Sequence, residues 1–265
     1  MDLVESQAIM LIKVTNACKM GCIHCLEDAT PAGSHMDLAL FQKALDFTER
    51  AECEALKAGI PTMVLLSGGE CTDNPEILEM VKQVVDRKWI VMILTHGLWL
   101  DNETLRDTLL RDDWKVVIQV TNDARFYPRK PPHFKHPRVH YVDNLTLLST
   151  IGRAAKPNFD PKGLNPRISP SSFNFRSMVR YYNSVPEAIK MLRTRGALGK
   201  SGFCSPAVSH DGTITAGESR FCFPIGTVNS SNEELTQAVL SMGSCNRCGQ
   251  ESPLGSEHRR AIGLT

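Results

Sequence analysis

Residues 18–25, CKMGCIHC, constrain this 265-residue chain more than any other stretch. Three cysteines at C-x3-C-x2-C stand just behind an apolar, β-branched run, Ile9-Met10-Leu11-Ile12-Lys13-Val14, which reads as a strand ending in a loop. Three thiolates this close on one loop can converge on an iron–sulfur cluster. Because four irons take four ligands, one iron is then left open for chemistry. Taken on the residues alone, zinc is the competing use. A structural zinc site takes four protein ligands, and His24 would have to serve as the fourth from inside the loop, where its reach is sterically poor. A disulfide framework fits worse, because the nine cysteines are an odd number and no secretory signal precedes them.

Behind the cysteines the chain alternates. Asp37 is placed to cap a helix whose apolar positions, Leu38, Leu40, Phe41, Ala44, Leu45 and Thr48, recur at helical spacing. Residues 62–66, TMVLL, are bounded by Pro61 and by Gly68-Gly69 and suit a strand buried on both faces. A helix over 75–88 follows, with Asn74 as its cap and Pro75 at its first position. Then come a strand at 89–94, a helix at 102–111, a strand at 114–120, a proline-rich basic loop at 128–138 and a strand at 139–142. Residues 145–151 read as the last barrel strand, 156–171 as a linker, and 172–182 and 186–195 as two helices. The β-α-β-α rhythm predicts a parallel sheet, and the expected fold is α/β, a partial (β/α)6 TIM-like barrel open on one side. In such sheets ligands sit beyond the C-terminal ends of the strands.

A formal net charge of +1 gives no broad pull toward nucleic acid or a membrane surface. No apolar run approaches the length of a membrane span, and the N-terminus lacks a basic region and cleavage site. Unpaired cysteines arranged as metal ligands fit a reducing cytoplasm.

The polar motifs fall where the sheet predicts a ligand. Ser67-Gly68-Gly69-Glu70 follows the second strand, with two glycines that permit close backbone approach and a carboxylate able to accept from an ammonium group. Thr95-His96-Gly97 ends the third strand, and Gln119-Val120-Thr121 ends the next. With CKMGCIHC these segments resemble the radical S-adenosylmethionine (SAM) enzymes. The resemblance implies that Cys18, Cys22 and Cys25 hold a [4Fe-4S] cluster whose open iron is chelated by SAM. An electron from that cluster cleaves SAM to a 5′-deoxyadenosyl radical, which removes a hydrogen atom from substrate. It further implies that His24 lies beside the adenine and that Gly68, Gly69 and Glu70 hold the SAM amino group. Thr95, Gln119 and Thr121 would bond the carboxylate or ribose, and Arg153, in Gly152-Arg153-Ala154, would reach the SAM carboxylate or the substrate.

At the C-terminus Cys204, Cys222 and the C-x2-C pair Cys245 and Cys248 make a closed tetrad. His210-Asp211-Gly212-Thr213 reads as a type I′ hairpin turn, and a helix over 232–240 returns the chain to the pair. A closed four-cysteine site suits either zinc or iron, and judged on the residues alone zinc is the favoured occupant. The C-x12-G-x4-C spacing resembles the twitch appendage, a shortened SPASM extension that carries an auxiliary [4Fe-4S] cluster. The implied domains are a barrel over 1–155, a linker with helices over 156–200 and an auxiliary-cluster domain over 201–265. The implied activity is a radical SAM oxidoreductase of the dehydrogenase type, with a small-molecule substrate and a flavodoxin- or ferredoxin-type electron donor. A ribosomal-peptide maturase is the alternative, and a zinc-stabilised binding module the remote one. Arg153, Arg176, Tyr181, Tyr182 and Glu218 stand as candidates for the group that takes the substrate proton, with none singled out.

Overall fold

The computed structural model describes residues 8–52, 56–57, 59, 61–143, 147–148, 152–156, 158–160, 162, 165–166 and 206–241. Strands β1 (Ala8–Thr15), β2 (Thr62–Gly68), β3 (Ile90–Thr95), β4 (Val116–Thr121) and β5 (Val139–Val142) pair in parallel and in chain order. Helices α1 (Leu38–Ala51), α2 (Ile77–Asp86) and α3 (Glu103–Leu109) connect them. Right-handed crossovers that always step the same way put every helix on one face, which is the winding of a β/α barrel.

The strand periodicity divides the residues accordingly. Met10, Ile12 and Val14 of β1, Val64 and Leu66 of β2, Val91 and Ile93 of β3, and Val116, Ile118 and Val120 of β4 form one buried cluster with Phe41 and Leu45 of α1 and Met80, Val81 and Val84 of α2. Burying each such side chain contributes about 1.5–3 kcal/mol relative to exposure. The alternate residues, including Leu11, Lys13, Ser67, Leu94 and Thr121, face the concave side and line a cavity there.

Local chemistry sets where the helices begin. Asp37 caps α1 as expected, with its Oδ1 accepting from Leu40 N at 2.7 Å. Asn102 does the same for α3, accepting from Leu105 N at 3.2 Å. Asn74, expected as the cap of a helix over 75–88, does not cap α2, which starts at Ile77 with Glu76 at its N-cap and no side-chain cap bond; Asn74 instead organises the turn before it. Its Oδ1 accepts from Glu76 N at 2.9 Å, while Nδ2 donates to Val14 O at 2.8 Å and Met36 O at 3.0 Å. The start of α2 is thereby tied to both ends of the loop between β1 and α1.

The sixth parallel strand is not residues 145–151. Leu147–Leu148 (β6) pairs instead with Asn165–Pro166 (β7) in a separate two-stranded sheet. Just beyond it Gly152, at φ +64°, turns the chain onto the cysteine loop, where Arg153 N donates to Cys25 O at 3.0 Å. The sixth strand comes from the C-terminal region: β8 (Ala207–Val208) lies parallel to β1 on its free edge, with Leu11 opposite Ala207. β9 (Thr213–Thr215) and β10 (Pro224–Thr227) continue the sheet antiparallel, giving the order β10-β9-β8-β1-β2-β3-β4-β5. Helix α4 (Asn232–Ser241) places Leu235 in the same core as Ile225 of β10.

The turn between β8 and β9 also differs from expectation. A type I′ turn needs positive φ at both central residues, but Gly212, at +81°, is the only residue of that turn with one. Gly212 N donates to Ser209 O at 2.9 Å, so a tight turn over 209–212 ends in a left-handed glycine. The segments 172–182 and 186–195, expected as helices, and Cys204, Cys245 and Cys248 lie outside the described residues. Among the described residues no helix is long and apolar enough to cross a membrane.

Candidate active site

The cysteine loop leaves β1 at a bulge, where Lys13 pairs with Ser67 and Thr15 with Gly68. Gly69 N donates to Thr15 O at 2.9 Å and Glu70 N to Ala17 O at 2.8 Å, so residues 68–70 run backbone-to-backbone along the start of the loop. Glycine is required there. A Cβ at Gly68, where φ is +127°, would lie 2.0 Å from Thr15 O, and one at Gly69 would lie 2.1 Å from Ala17 O. On the far side of the loop, Cys18 N donates to Thr30 O at 3.0 Å.

Cys18, Cys22 and Cys25 line one cavity of about 280 Å³ together with His24, Gly68, Gly69, Thr95, His96, Thr121 and Tyr127. Backbone amides already point at two of the sulfurs, Met20 N to Cys18 Sγ at 3.3 Å and Ala29 N to Cys25 Sγ at 3.4 Å. Burial pushes the Cys18 thiol up, and burial followed by the neighbouring Cys25 and Cys18 pushes Cys22 to about 12. A bound metal must therefore displace protons from these thiols, and it would take over the charge that burial makes unfavourable. Among the described residues no three His, Cys, Asp or Glu side chains close on a single-ion site. The three thiols share one cavity wall, as the ligands of a multi-iron cluster would. Soft donors, amide hydrogen bonds to sulfur and a common cavity fit such a cluster.

Arg153 braces this loop. Its Nε donates to Asp28 Oδ1 at 2.7 Å and Nη1 to Cys22 O at 2.9 Å, while Nη2 donates to Ala29 O. It does not line the cavity, and its bonds run to the cysteine loop.

Glu70, 1 % exposed, does not itself line the cavity. Its carboxylate accepts from Thr72 Oγ1 at 2.6 Å, Thr95 Oγ1 at 2.8 Å and His96 N at 3.0 Å. His96 Nδ1 accepts from Leu98 N at 3.1 Å, which puts the ring proton on Nε2, 3.2 Å from the same carboxylate. Glu70 therefore holds Thr95 and His96 at the cavity rim, and its acceptor capacity is taken by protein donors. Gln119 lies on the concave side of β4 two residues before Thr121, but only Thr121 reaches the cavity wall.

His24 packs its ring 4.9 Å from Phe126 and 5.0 Å from Tyr127. Burial lowers its pKa to about 4, so the imidazole is neutral near pH 7. Its Nδ1 is buried without a hydrogen bond among the described residues.

Three polar wall residues were not singled out from the sequence: Tyr127, Lys13 and Glu27. Lys13 Nζ lies 3.0 Å from Glu27 Oε1, with side-chain exposures of 3 % and 7 %. One signal for Lys13 was available, a lone charge inside the apolar run of β1. Cys222 sits on the loop between β9 and β10, and that loop docks on the cysteine loop. Ser219 Oγ donates to Leu26 O at 2.9 Å and Arg220 N to Glu27 Oε1 at 3.3 Å.

The strands, helices and cysteine loop together make a partial β/α barrel with its cavity at the C-terminal ends of the strands. Solved structures with this fold include BtrN in complex with AdoMet and 2-DOIA, at a TM-score of 0.51 and 12 % identity, covering 89 % of this chain and 85 % of that one. BtrN in an open conformation matches at a TM-score of 0.51 and 14 % identity, covering 100 % and 92 %. No family model matches the chain, and no curated protein does.

Proposed function

We propose that this chain is a radical SAM oxidoreductase of the dehydrogenase type. The observation that carries the reading is the shared cavity of Cys18, Cys22 and Cys25 with the glycine pair at the end of β2 and the polar ends of β3 and β4. In this reading the three cysteines hold a [4Fe-4S] cluster, and SAM lies against Gly68, Gly69, Ser67, Thr95, Thr121 and His24. When bound, these groups supply an electron that cleaves SAM, and the radical so formed removes a hydrogen atom from substrate. The likeness to BtrN, whose structure holds AdoMet, supports the assignment of the cavity.

The chain's own residues orient and insulate. Gly68 and Gly69 keep the floor open by running bare against Thr15 and Ala17. Glu70 fixes Thr95 and His96, and Arg153 holds the carbonyls of Cys22 and Ala29, so that the three thiols keep one spacing. Neutral His24, seated on Phe126 and Tyr127, lines the cavity as an uncharged ring against which a planar base would pack. Cys222 would join Cys204, Cys245 and Cys248 around an auxiliary [4Fe-4S] cluster that accepts the second substrate electron. The docking of the Cys222 loop on residues 26 and 27 supports a short path between the two centres. A flavodoxin- or ferredoxin-type donor would approach the exposed Ile23, which is 48 % accessible within the cysteine loop.

The test is anaerobic turnover. Reconstituted enzyme given SAM, dithionite and either a polyol panel or a peptide panel is expected to release 5′-deoxyadenosine, with the yield raised by a polyol. A yield raised only by peptides would favour the peptide-maturase reading. Zinc in place of iron with no SAM cleavage would leave a binding module.

A further inference from the structure

Tyr127 seats His24 with its ring, but its hydroxyl has no task in that packing. The residue follows β4 at the head of the proline-rich loop, where its backbone N donates to Asp123 O at 2.9 Å. The ring packs against the buried group formed by Cys18, Met20, Cys22 and Ala29 and meets the His24 ring edge-to-face at 5.0 Å. It also lines the cavity beside all three cysteines. Phenylalanine would supply the same packing. The hydroxyl has no hydrogen-bond partner among the described residues, although a buried tyrosine usually finds one.

The sulfurs show where a donor is missing. Cys18 Sγ accepts from Met20 N at 3.3 Å and Cys25 Sγ from Ala29 N at 3.4 Å. Cys22 Sγ accepts from no other residue among the described residues. Cys22 is also the cysteine that weighs most on Tyr127. Burial first, and then Cys22 ahead of Cys25 and Cys18, pushes the phenol up, so the oxygen keeps its proton beside them. A phenol carries one O–H donor, and a sulfur bearing negative charge is a fitting acceptor for it. Hydrogen bonds to the sulfurs of an iron–sulfur cluster stabilise its reduced, more negative form and so raise its reduction potential.

We propose that the Tyr127 hydroxyl donates a hydrogen bond to a sulfur at the Cys22 corner of the cluster and thereby raises the potential at which the cluster takes its electron. This rests on the proposed function, in which the three cysteines hold that cluster, and deepens it by naming a side chain that sets how readily the cluster is reduced. Tyr127 takes no part in hydrogen-atom abstraction.

The experiment titrates anaerobically reconstituted, SAM-free enzyme with reductant and follows the reduced cluster by electron paramagnetic resonance in wild type and in Tyr127→Phe, which keeps the ring and removes the hydroxyl. Tyr127→Phe is expected to bind as much iron as wild type and to shift the one-electron equilibrium roughly tenfold toward the oxidised cluster, a midpoint potential about 59 mV lower. In deuterated buffer, spin-echo spectra of the reduced wild type are expected to show a coupled deuteron that Tyr127→Phe lacks. A ring that only packs would move neither reading. If Tyr127→Phe assembles no cluster, 3-fluorotyrosine at position 127, a stronger donor of nearly the same shape, takes its place and is expected to raise the midpoint potential. An unchanged potential in a variant with full iron content, or the same deuteron coupling with and without the hydroxyl, overturns the inference, while SAM cleavage by those preparations upholds the proposed function. A wild type that takes up no iron and cleaves no SAM overturns the proposed function itself.

Discussion

The two faces of the sheet are built from alternate residues of the same strands, yet they answer to different demands. On the convex face Ile12, Val64, Ile93 and Ile118 are fully buried in one cluster with the helices. On the concave face Lys13, Ser67, Leu94 and Thr121 are mixed in character and open on a cavity. A single step along β1, from Ile12 to Lys13, crosses from a position that contributes to stability to a buried lysine paired with Glu27 on the cavity side. Stability and chemistry are therefore separable by strand parity, and substitutions on the two faces should separate them.

The strongest test acts on the loop that crowns the concave face. Alanine at Cys18, Cys22 and Cys25 together is expected to reduce SAM cleavage to background and to remove about four irons per chain, measured by colorimetric iron and by chromatography of 5′-deoxyadenosine. Circular dichroism is expected to keep its native shape, because the convex cluster is untouched. The opposite pattern belongs to Ile12→Ala. Truncating that convex side chain is expected to cost about 2–5 kcal/mol in denaturant unfolding, with SAM cleavage per folded molecule retained.

A smaller effect should follow at Arg153, which bridges the faces' common rim by binding the loop from behind. Arg153→Met is expected to weaken cluster retention roughly 10- to 100-fold in chelator competition, the scale of a lost outer ligand support, with little change in melting temperature. If Arg153 instead acts on a ligand, iron retention would stay normal and substrate affinity would fall. The smallest change is at Gly212. Its left-handed backbone makes Gly212→Ala cost roughly 1–2 kcal/mol, read as a lower melting temperature with normal iron content.

Much of this was legible in the sequence because local chemistry and tertiary need agree. Asp37 and Asn102 cap the helices they precede, and the apolar runs at 62–66 and 139–142 became strands because each is bounded by turn or loop residues. The cysteines, Gly68, Gly69, Thr95 and Thr121 share a cavity because strand ends on one side of a parallel sheet must converge. What stayed hidden depends on distant segments. Residues 145–151 look apolar enough for a barrel strand, but Ala207–Val208 takes the parallel edge of β1, a pairing that no local pattern announces. Glu70 and Arg153 carry the right residue types, yet their partners, Thr72, Thr95 and His96 for one and Asp28, Cys22 and Ala29 for the other, come from the fold. The Lys13–Glu27 pair joins a strand to a loop after the cysteines, and only the odd charge in β1 hinted at it.

The most direct measurement is electron paramagnetic resonance of anaerobically reconstituted, dithionite-reduced enzyme before and after SAM is added. The account predicts a reduced [4Fe-4S] signal that changes on addition of SAM and disappears selectively in the Cys18, Cys22 and Cys25 variant. A protein that takes up zinc instead, or one whose reduced signal is indifferent to both SAM and that substitution, would contradict it.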